Sequence, residues 1–142
     1  MAIFKTILAP TDFSDVSATG GRYACHLAKD LGAEIIIFNV DVLDESNRID
    51  KLEIEQHKKR LGKFVAEKVA DACVGLKLRQ VVDAGQPFGS IVDCAEKEGV
   101  DLIVMSSHGR SGLSRMLIGS VTDKILRGSP CPVLVVPLEK EN

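Results

Sequence analysis

The hydrophobic positions of this chain fall into short apolar runs that alternate with longer segments in which apolar residues recur at helical spacing. The short runs are rich in Ile, Val and Leu, which is typical of strands that are buried on both faces of a sheet. They predict five strands, over residues 5–9, 34–40, 77–84, 101–105 and 133–136. The longer segments predict four helices, over residues 15–31, 51–74, 88–98 and 121–126.

The strict alternation of strands and helices predicts an α/β fold, with a parallel sheet, right-handed crossovers and helices on both faces. Short turns join the elements and no linker interrupts them, so we expect a single domain over residues 1–142. Ligands of such sheets bind outside the carboxyl ends of the strands, where the strand order reverses. We therefore expect the segments that follow the first and fourth strands to converge on one crevice.

Charge and composition exclude several classes of partner. The formal net charge of −2 argues against nucleic acid or an anionic membrane surface as the main partner. No run approaches the roughly 18 apolar residues of a membrane span. The first ten residues lack the basic region and the long apolar region of a secretory signal. The expected location is the cytoplasm.

The four cysteines, Cys25, Cys73, Cys94 and Cys131, are far apart in the sequence and none belongs to a CxxC pair. A metal site or a disulfide framework normally shows clustered cysteines. The spacing therefore predicts small buried thiols in a reducing cytosol.

The segment from residue 105 to residue 124 carries the strongest functional signal. A strand leads into a loop that contains Gly109, Gly112 and Gly119, and the loop ends at the N-terminus of the fourth helix. Backbone amides and the positive end of the helix dipole make such a junction an anion site. Gly109 and Gly119 let the backbone approach a polyanion that a Cβ would hold off. We predict that this loop binds the phosphates of a nucleotide.

Side chains of the same loop add to this prediction. Ser120 is the expected N-cap of the fourth helix, and Thr122 offers a second hydroxyl beside it. Arg110 and Arg115 are able to neutralise phosphate charge, or lie in solvent as lone loop arginines often do. His108 either forms a hydrogen bond within the turn or contacts the ligand.

The second candidate region is the carboxyl end of the first strand, where Asp12 lies. Its carboxylate either accepts a hydrogen bond from a ribose or an adenine amine, or caps the first helix, as Ser14 also can. His26 and His57 are isolated on predicted helices and receive no role. The predicted site therefore rests on the loop and on this strand end.

Other chemistries lack their sequence patterns. GxxxxGK[ST] is absent, and no GxGxxG follows the first strand, so neither a P-loop nor the dinucleotide fingerprint is indicated. The sequence also lacks GxSxG, HExxH and any Cys/His cluster, and no pattern ties a nucleophile to a base. The residues alone indicate nucleotide or phosphate binding, with no catalytic residue and no metal site.

Several segments together resemble the universal stress protein family. They are residues 7–14 (ILAPTDFS), residues 101–105 (DLIVM), the pair Gly119 and Ser120, and residues 131–136 (CPVLVV). The nucleotide-binding branch of that family has a glycine, two residues, a glycine, nine residues, a glycine and then Ser or Thr. Gly109, Gly119 and Ser120 match its later positions, whereas Ser106 replaces its first glycine.

The resemblance implies a Rossmann-like sheet of five strands in the order 3-2-1-4-5, with ATP, together with Mg²⁺, bound at the point where the strand order reverses. By position it implies three groups of ligand contacts. The adenosine contacts are Pro10, Thr11, Asp12 and Val40. The contacts to the ribose and first phosphates are Met105 and Ser106, with His108 as a further candidate. The phosphate contacts are Gly109, Arg110, Gly119, Ser120, Val121 and Thr122.

The resemblance also implies a homodimer that pairs through the last strand, Val133–Val136. This strand is apolar and would be last in the sheet, so that without a partner it forms an aggregation-prone edge. Pairing with a two-fold-related copy removes that edge.

Three functions remain open at this level. The first is an ATP-binding, dimeric stress-response module with little turnover, which fits an anion site without a base. The second is a slow ATPase or phosphotransferase, in which Asp12 or Asp41 helps to hold Mg²⁺. The third is a family member that binds no nucleotide and acts as a protein-interaction module, which Ser106 favours.

Overall fold

The strands form one parallel sheet. The computed structural model of the chain describes residues 3–108 and 118–137, so Gly109, Arg110, Gly112 and Arg115 lie outside the described residues. The strands are β1 (Thr6–Pro10), β2 (Glu34–Val42), β3 (Leu78–Gly85), β4 (Leu102–Ser106) and β5 (Val133–Val136). Their order is β3-β2-β1-β4-β5, which confirms the predicted sheet.

In the part of the chain that the structure describes, four α-helices connect these strands and cover both faces of the sheet. They are α1 (Asp15–Leu31), α2 (Lys51–Phe64), α3 (Pro87–Lys97) and α4 (Ser120–Gly128). The ends of α1 follow the sequence closely: the Ser14 hydroxyl accepts from the Ser17 amide at the N-cap, and Gly32 ends the helix with a φ of 68°. Within the described ranges, every helix is too short or too polar to cross a bilayer.

The second helical segment is less regular than predicted. The expected α-helix over residues 51–74 is α-helical only to Phe64, continues as a π-helical turn (Val65–Val69) and ends as a 3₁₀ turn (Ala70–Cys73). Its buried residues Leu61, Val65, Val69 and Cys73 recur every four residues. A four-residue repeat drifts around a helix of 3.6 residues per turn, so a wider π turn is needed to keep the stripe facing the sheet.

The sheet separates two apolar cores. One lies between the sheet and α1 with the second helical segment, and it includes Ile7, Ile35, Ile37, Phe64 and Val104. The other lies between the sheet and α3 with α4, and it includes Leu8, Ile36, Phe38, Ile91, Ile103 and Ile125. Alternate residues of β1, β2 and β4 enter opposite cores, as expected for strands that are covered on both faces.

The cysteines correct one prediction. Cys25 of α1 and Cys73 form a disulfide, with their Cα atoms 5.2 Å apart, so these two are not free thiols. Forty-eight residues separate them in the sequence, and only the packing of α1 against the 3₁₀ turn brings them together. Cys94 is a buried free thiol, as predicted, whereas the free thiol of Cys131 is only half-buried.

Candidate functional site

A cavity of about 580 Å³ opens at the carboxyl ends of β1, β2 and β4. From β1 the sheet extends to β2 and β3 on one side and to β4 and β5 on the other, so the strand order reverses at this point. This is the predicted position for a ligand. All the predicted site residues that the structure describes line the cavity: Pro10, Thr11, Asp12, Val40, Met105, Ser106, His108, Gly119, Ser120, Val121 and Thr122. Gly109 and Arg110 lie outside the described residues.

The lining of the cavity differs between its two sides. The side toward α3 and α4, here called the apolar wall, consists of Phe38, Val40, Pro87, Ile91, Met105 and Val121. The side toward α1 and α2, here called the polar wall, consists of Thr11, Ser17, Asn39, Asp41, His57 and Arg60. A flat apolar group therefore packs favourably on one wall, while hydrogen-bonding groups find partners on the other.

The N-terminus of α4 offers backbone amides to the cavity. Gly119, rather than the predicted Ser120, is the N-cap, and no side chain of the described residues caps the helix. The first helical hydrogen bond runs from the Asp123 amide to the Gly119 carbonyl, at 2.9 Å. The amides of Ser120, Val121 and Thr122 precede it, and a glycine cap leaves them for an external anion where a serine or aspartate cap would compete.

The amide of Gly119 itself has a structural role. It donates to the carbonyl of Ser107 at 2.8 Å, which ties the start of α4 to the end of β4. Gly119 is buried, and its φ of −61° is open to any residue. The glycine therefore matters because it lacks a side chain at the cap, and not because of its backbone conformation.

His108 lies beside the N-terminus of α4 and lines the same cavity. Its side chain is buried, and Nδ1 lies 2.8 Å from the Ser107 hydroxyl. Nε2 is buried without a hydrogen-bond partner among the described residues. Because a buried polar atom is costly when it is unpaired, the ring fits a ligand oxygen in the cavity.

The side chain of Ser106 faces α1 and not the cavity centre. Its hydroxyl donates to the Val16 carbonyl at 2.6 Å and accepts from the Gly20 amide at 2.9 Å, so it bridges one turn of the helix. Its carbonyl accepts from the Thr122 hydroxyl at 3.0 Å. The hydroxyl proton of Thr122 is thus used in a bond to β4. The Ser106 side chain, at the position where the resembled motif has its first glycine, joins α1 to the sheet.

Asp12 organises the turn between β1 and α1. Its Oδ1 accepts from both the amide and the hydroxyl of Ser14, at 3.0 and 2.5 Å, while Ser14 caps the helix. Phe13 between them has a φ of 71°, an uncommon conformation for a residue with a side chain. The Arg60 guanidinium lies 4.5 Å from the centre of the Phe13 ring. This strained turn is one edge of the cavity.

The strand β2 extends beyond its neighbour β1. The two strands pair only as far as Pro10 and Phe38, whereas β2 continues to Val42. The Thr11 amide donates to the Phe38 carbonyl at 2.8 Å, so that carbonyl points toward β1. The backbone N–H and C=O of Val40, two residues on, point the same way, past the end of β1 and into the cavity.

Sequence reasoning missed much of the polar wall. Asn39, His57 and Arg60 received no role, and Asp41 appeared only as a possible metal ligand. Asn39 and Asp41 did leave a signal, because they are polar residues two apart at the end of an otherwise apolar strand. His57 left none, since the orientation of α2 about its axis depends on packing. Pro87 and Ile91 likewise reach the cavity only through the position of α3.

Comparisons with known proteins agree with this fold. A model of the universal stress protein family matches residues 3–137. The universal stress protein MJ0531 of Methanocaldococcus jannaschii is 36% identical over 148 residues, which cover 98% of this chain and 85% of that protein.

Two solved structures are similar over nearly the whole chain. MJ0577 of the same organism matches with a TM-score of 0.75 at 32% identity, covering 98% of this chain and 99% of that one. A universal stress protein in complex with cAMP matches with a TM-score of 0.75, covering 94% of this chain and 97% of that one. Its identity of 22% extends the likeness to the fold alone.

Proposed function

Since this chain belongs to the universal stress protein family, we propose that it is an ATP-binding stress-response module with little turnover. The proposal places the whole function in a single domain over residues 1–142. The observation that carries it is one cavity that combines an apolar wall with helix amides that no described side chain caps. The first suits a flat base and the second suits phosphates.

The base end of the proposed site is the overhanging part of β2. The Val40 N–H and C=O lie side by side and match an acceptor next to a donor on one edge of a ring. Adenine has this pair in N1 and its 6-amino group. The apolar wall, with Ile91 and Met105, supports the face of the base. The cAMP-bound relative also holds an adenine nucleotide.

The phosphate end is the N-terminus of α4. The amides of Ser120, Val121 and Thr122 and the His108 ring bind phosphate oxygens in this proposal, with Gly109 and Arg110 as further contacts. The helix dipole favours negative charge at this position. Mg²⁺ accompanies ATP and neutralises part of the remaining charge on its phosphates.

Little turnover is proposed because the described lining residues place no base for attack on the nucleotide. The Ser107 hydroxyl touches the His108 ring at 2.8 Å, but Ser107 is buried and is not part of the cavity lining. His57 is bonded within the polar wall. Among the described lining residues, no nucleophile is paired with a free base.

A homodimer through β5 belongs to the same proposal. The strand pairs with β4 along Val133–Val136, and its other edge pairs with no strand of the described residues. Its first three residues are half-buried hydrophobics. A two-fold copy that pairs along this edge would cover both the backbone groups and the apolar side chains.

The first experiment is to denature the purified protein and to identify any released nucleotide by chromatography and mass. We expect ATP at about one per chain, or binding of added Mg-ATP in calorimetry. The Gly119→Asp variant places a carboxylate at the cap of α4, where it occupies an amide and repels phosphate, so it should lose the nucleotide.

Gly89→Asp is the matched control, because it adds the same charge to the exterior of α3, where a Cβ meets no atom within 4 Å. It should retain the nucleotide. A wild-type protein that releases no nucleotide and ignores added Mg-ATP would overturn the proposal. Equal nucleotide retention in the two variants would remove the α4 terminus from the site.

A further inference from the structure

The polar wall contains a chain of hydrogen bonds that fixes one histidine. The Asn39 amide Nδ2 donates to the Thr11 carbonyl at 2.9 Å, which leaves Oδ1 of Asn39 as an acceptor. Nδ1 of His57 lies 2.9 Å from that Oδ1. The proton of this bond must therefore sit on Nδ1 of His57, and the opposite ring nitrogen, Nε2, faces Asp41.

Asp41 is buried, and only one of its two carboxyl oxygens faces a polar partner among the described residues. Its Oδ1 lies 3.4 Å from Nε2 of His57, and the residue is 4% exposed. A carboxylate accepts at both of its oxygens, so Oδ2 is an acceptor while Oδ1 faces the His57 ring. Oδ2 has no hydrogen-bond partner among the described residues.

The position of Asp41 relative to the phosphate end decides which part of a nucleotide it meets. Phosphates at α4 lie beyond β4, and β1 separates β4 from β2 in the sheet. A nucleotide that starts at α4 and crosses the end of β1 places its ribose near β1 and its base near β2. Asp41 follows Val40 directly at the end of β2 and lines the same cavity.

We propose that Asp41 is a specificity-determining residue whose Oδ2 accepts a hydrogen bond from the exocyclic 6-amino group of a purine. This inference rests on the proposed function. His57 is a positioning residue: it engages Oδ1 and so keeps Oδ2 an acceptor. The pair favours 6-aminopurines and disfavours purines with a 6-carbonyl or without a 6-substituent, which leave the buried acceptor unpaired.

The test compares two ligands that differ only in that amine. Calorimetry of the full chain measures the Kd of Mg-ATP and of the Mg complex of purine riboside 5′-triphosphate, which keeps N1 and lacks the 6-amino group. We expect wild type to bind ATP more tightly by at least about tenfold. Asp41→Leu should reduce this ratio by about tenfold.

Two further variants separate recognition from folding. In Asp41→Asn the amide is able to donate to Nε2 of His57 and leaves a neutral oxygen for the ligand, so this near-isosteric variant should fold and keep an intermediate ratio. Asp83→Leu removes a carboxylate from the neighbouring strand β3, outside the cavity lining, and should leave the ratio unchanged. Long-range ¹⁵N NMR of the wild type should find the His57 proton on Nδ1.

The outcomes are distinguishable. Equal weakening of both ligands in the Asp41 variants would overturn the inference and leave the proposed function in place. Equal Kd values for the two ligands in wild type would overturn the inference and also the proposed contact of the Val40 carbonyl with the 6-amino group, while ATP binding itself would stand. A proton on Nε2 alone would overturn the role of His57. A wild type that binds neither ligand would overturn the proposed function and this inference together.

Discussion

The two faces of the sheet differ in the interactions that their side chains make near the cavity, although the same strands contribute to both. On the α1/α2 face, β2 contributes Asn39 and Asp41 to a connected set of polar groups, and a disulfide joins Cys25 to Cys73. On the α3/α4 face, side chains such as Ile91 pack by shape, and the cysteines are free thiols. Both faces bury an apolar core, but only the α1/α2 face adds the polar wall and the disulfide to it among the described residues.

This difference suits a ligand that is itself two-sided. A nucleotide base has a flat apolar face and polar edges, and the cavity offers a separate wall to each. A polar network makes a structure rigid only when each of its groups has a hydrogen-bond partner. The order of the polar wall therefore depends on a few atoms in fixed places. The apolar face tolerates small changes of shape but is sensitive to lost volume.

Loss of volume on the apolar wall should have the largest effect. Ile91 is 2% exposed, and Ile91→Ala removes buried methylene and methyl groups, so we expect about 3 kcal/mol less unfolding free energy in urea titrations. The control is Leu126→Ala on α4, where the side chain is 43% exposed, and it should cost less than about 1 kcal/mol. Equal losses would contradict the assignment of the apolar wall to the core.

A side chain added between α1 and β4, on the α1/α2 face, should cause the second largest loss of stability. A Cβ at Gly20 would lie 2.6 Å from Oγ and 2.7 Å from the backbone nitrogen of Ser106, and a backbone atom cannot turn away. Gly20→Ala should therefore destabilise the protein by about 2 kcal/mol in the same titration. Gly62→Ala in α2 is the control. Its Cβ has an ordinary 3.7 Å contact, so helix propensity should make it neutral or stabilising.

Removal of a single bridging hydroxyl should have a smaller effect. Ser106→Ala deletes the bonds to Val16 and Gly20, after which α1 is able to close its own backbone bond, so we expect a loss of about 1 kcal/mol. Ser46→Ala removes an exposed hydroxyl that bonds Asp44, and should change stability by less than about 0.5 kcal/mol. A Ser106 variant as stable as the wild type would show that the bridge has no energetic role.

The reactivity of the cysteines compares the two faces of the sheet without any substitution. Burial, with the nearby Asp83 and Glu98, raises the pKa of Cys94 to about 11, so at pH 8 only about a thousandth of it is thiolate. We expect iodoacetamide to label the half-buried Cys131 well before Cys94 in the folded protein, as read by mass spectrometry. Labelling of Cys25 and Cys73 should require a reductant. Rapid labelling of either without one would contradict the disulfide.

Much of the fold was predictable because its signals are local. The apolar runs of β2 and β4, the Ser14 cap and the Gly32 end of α1 each depend on neighbouring residues, and the structure places them as expected. The errors lie where the signal is not local. The helix beyond Phe64 departs from α geometry to keep a four-residue stripe against the sheet, and the Cys25–Cys73 pair joins distant segments.

For the candidate site, the sequence by itself determined which strand ends and which helix N-terminus form it, since a strand, a glycine-bearing loop and a helix N-terminus follow one another along the chain. It placed the cap of α4 one residue late, at Ser120 instead of Gly119. Only the tertiary structure decided which side chains face the cavity. The direction of the Ser106 hydroxyl depends on Gly20, 86 residues away, and the contact of His57 with Asp41 depends on how α2 packs on the sheet. Long-range packing fixes such orientations, and no local pattern encodes them.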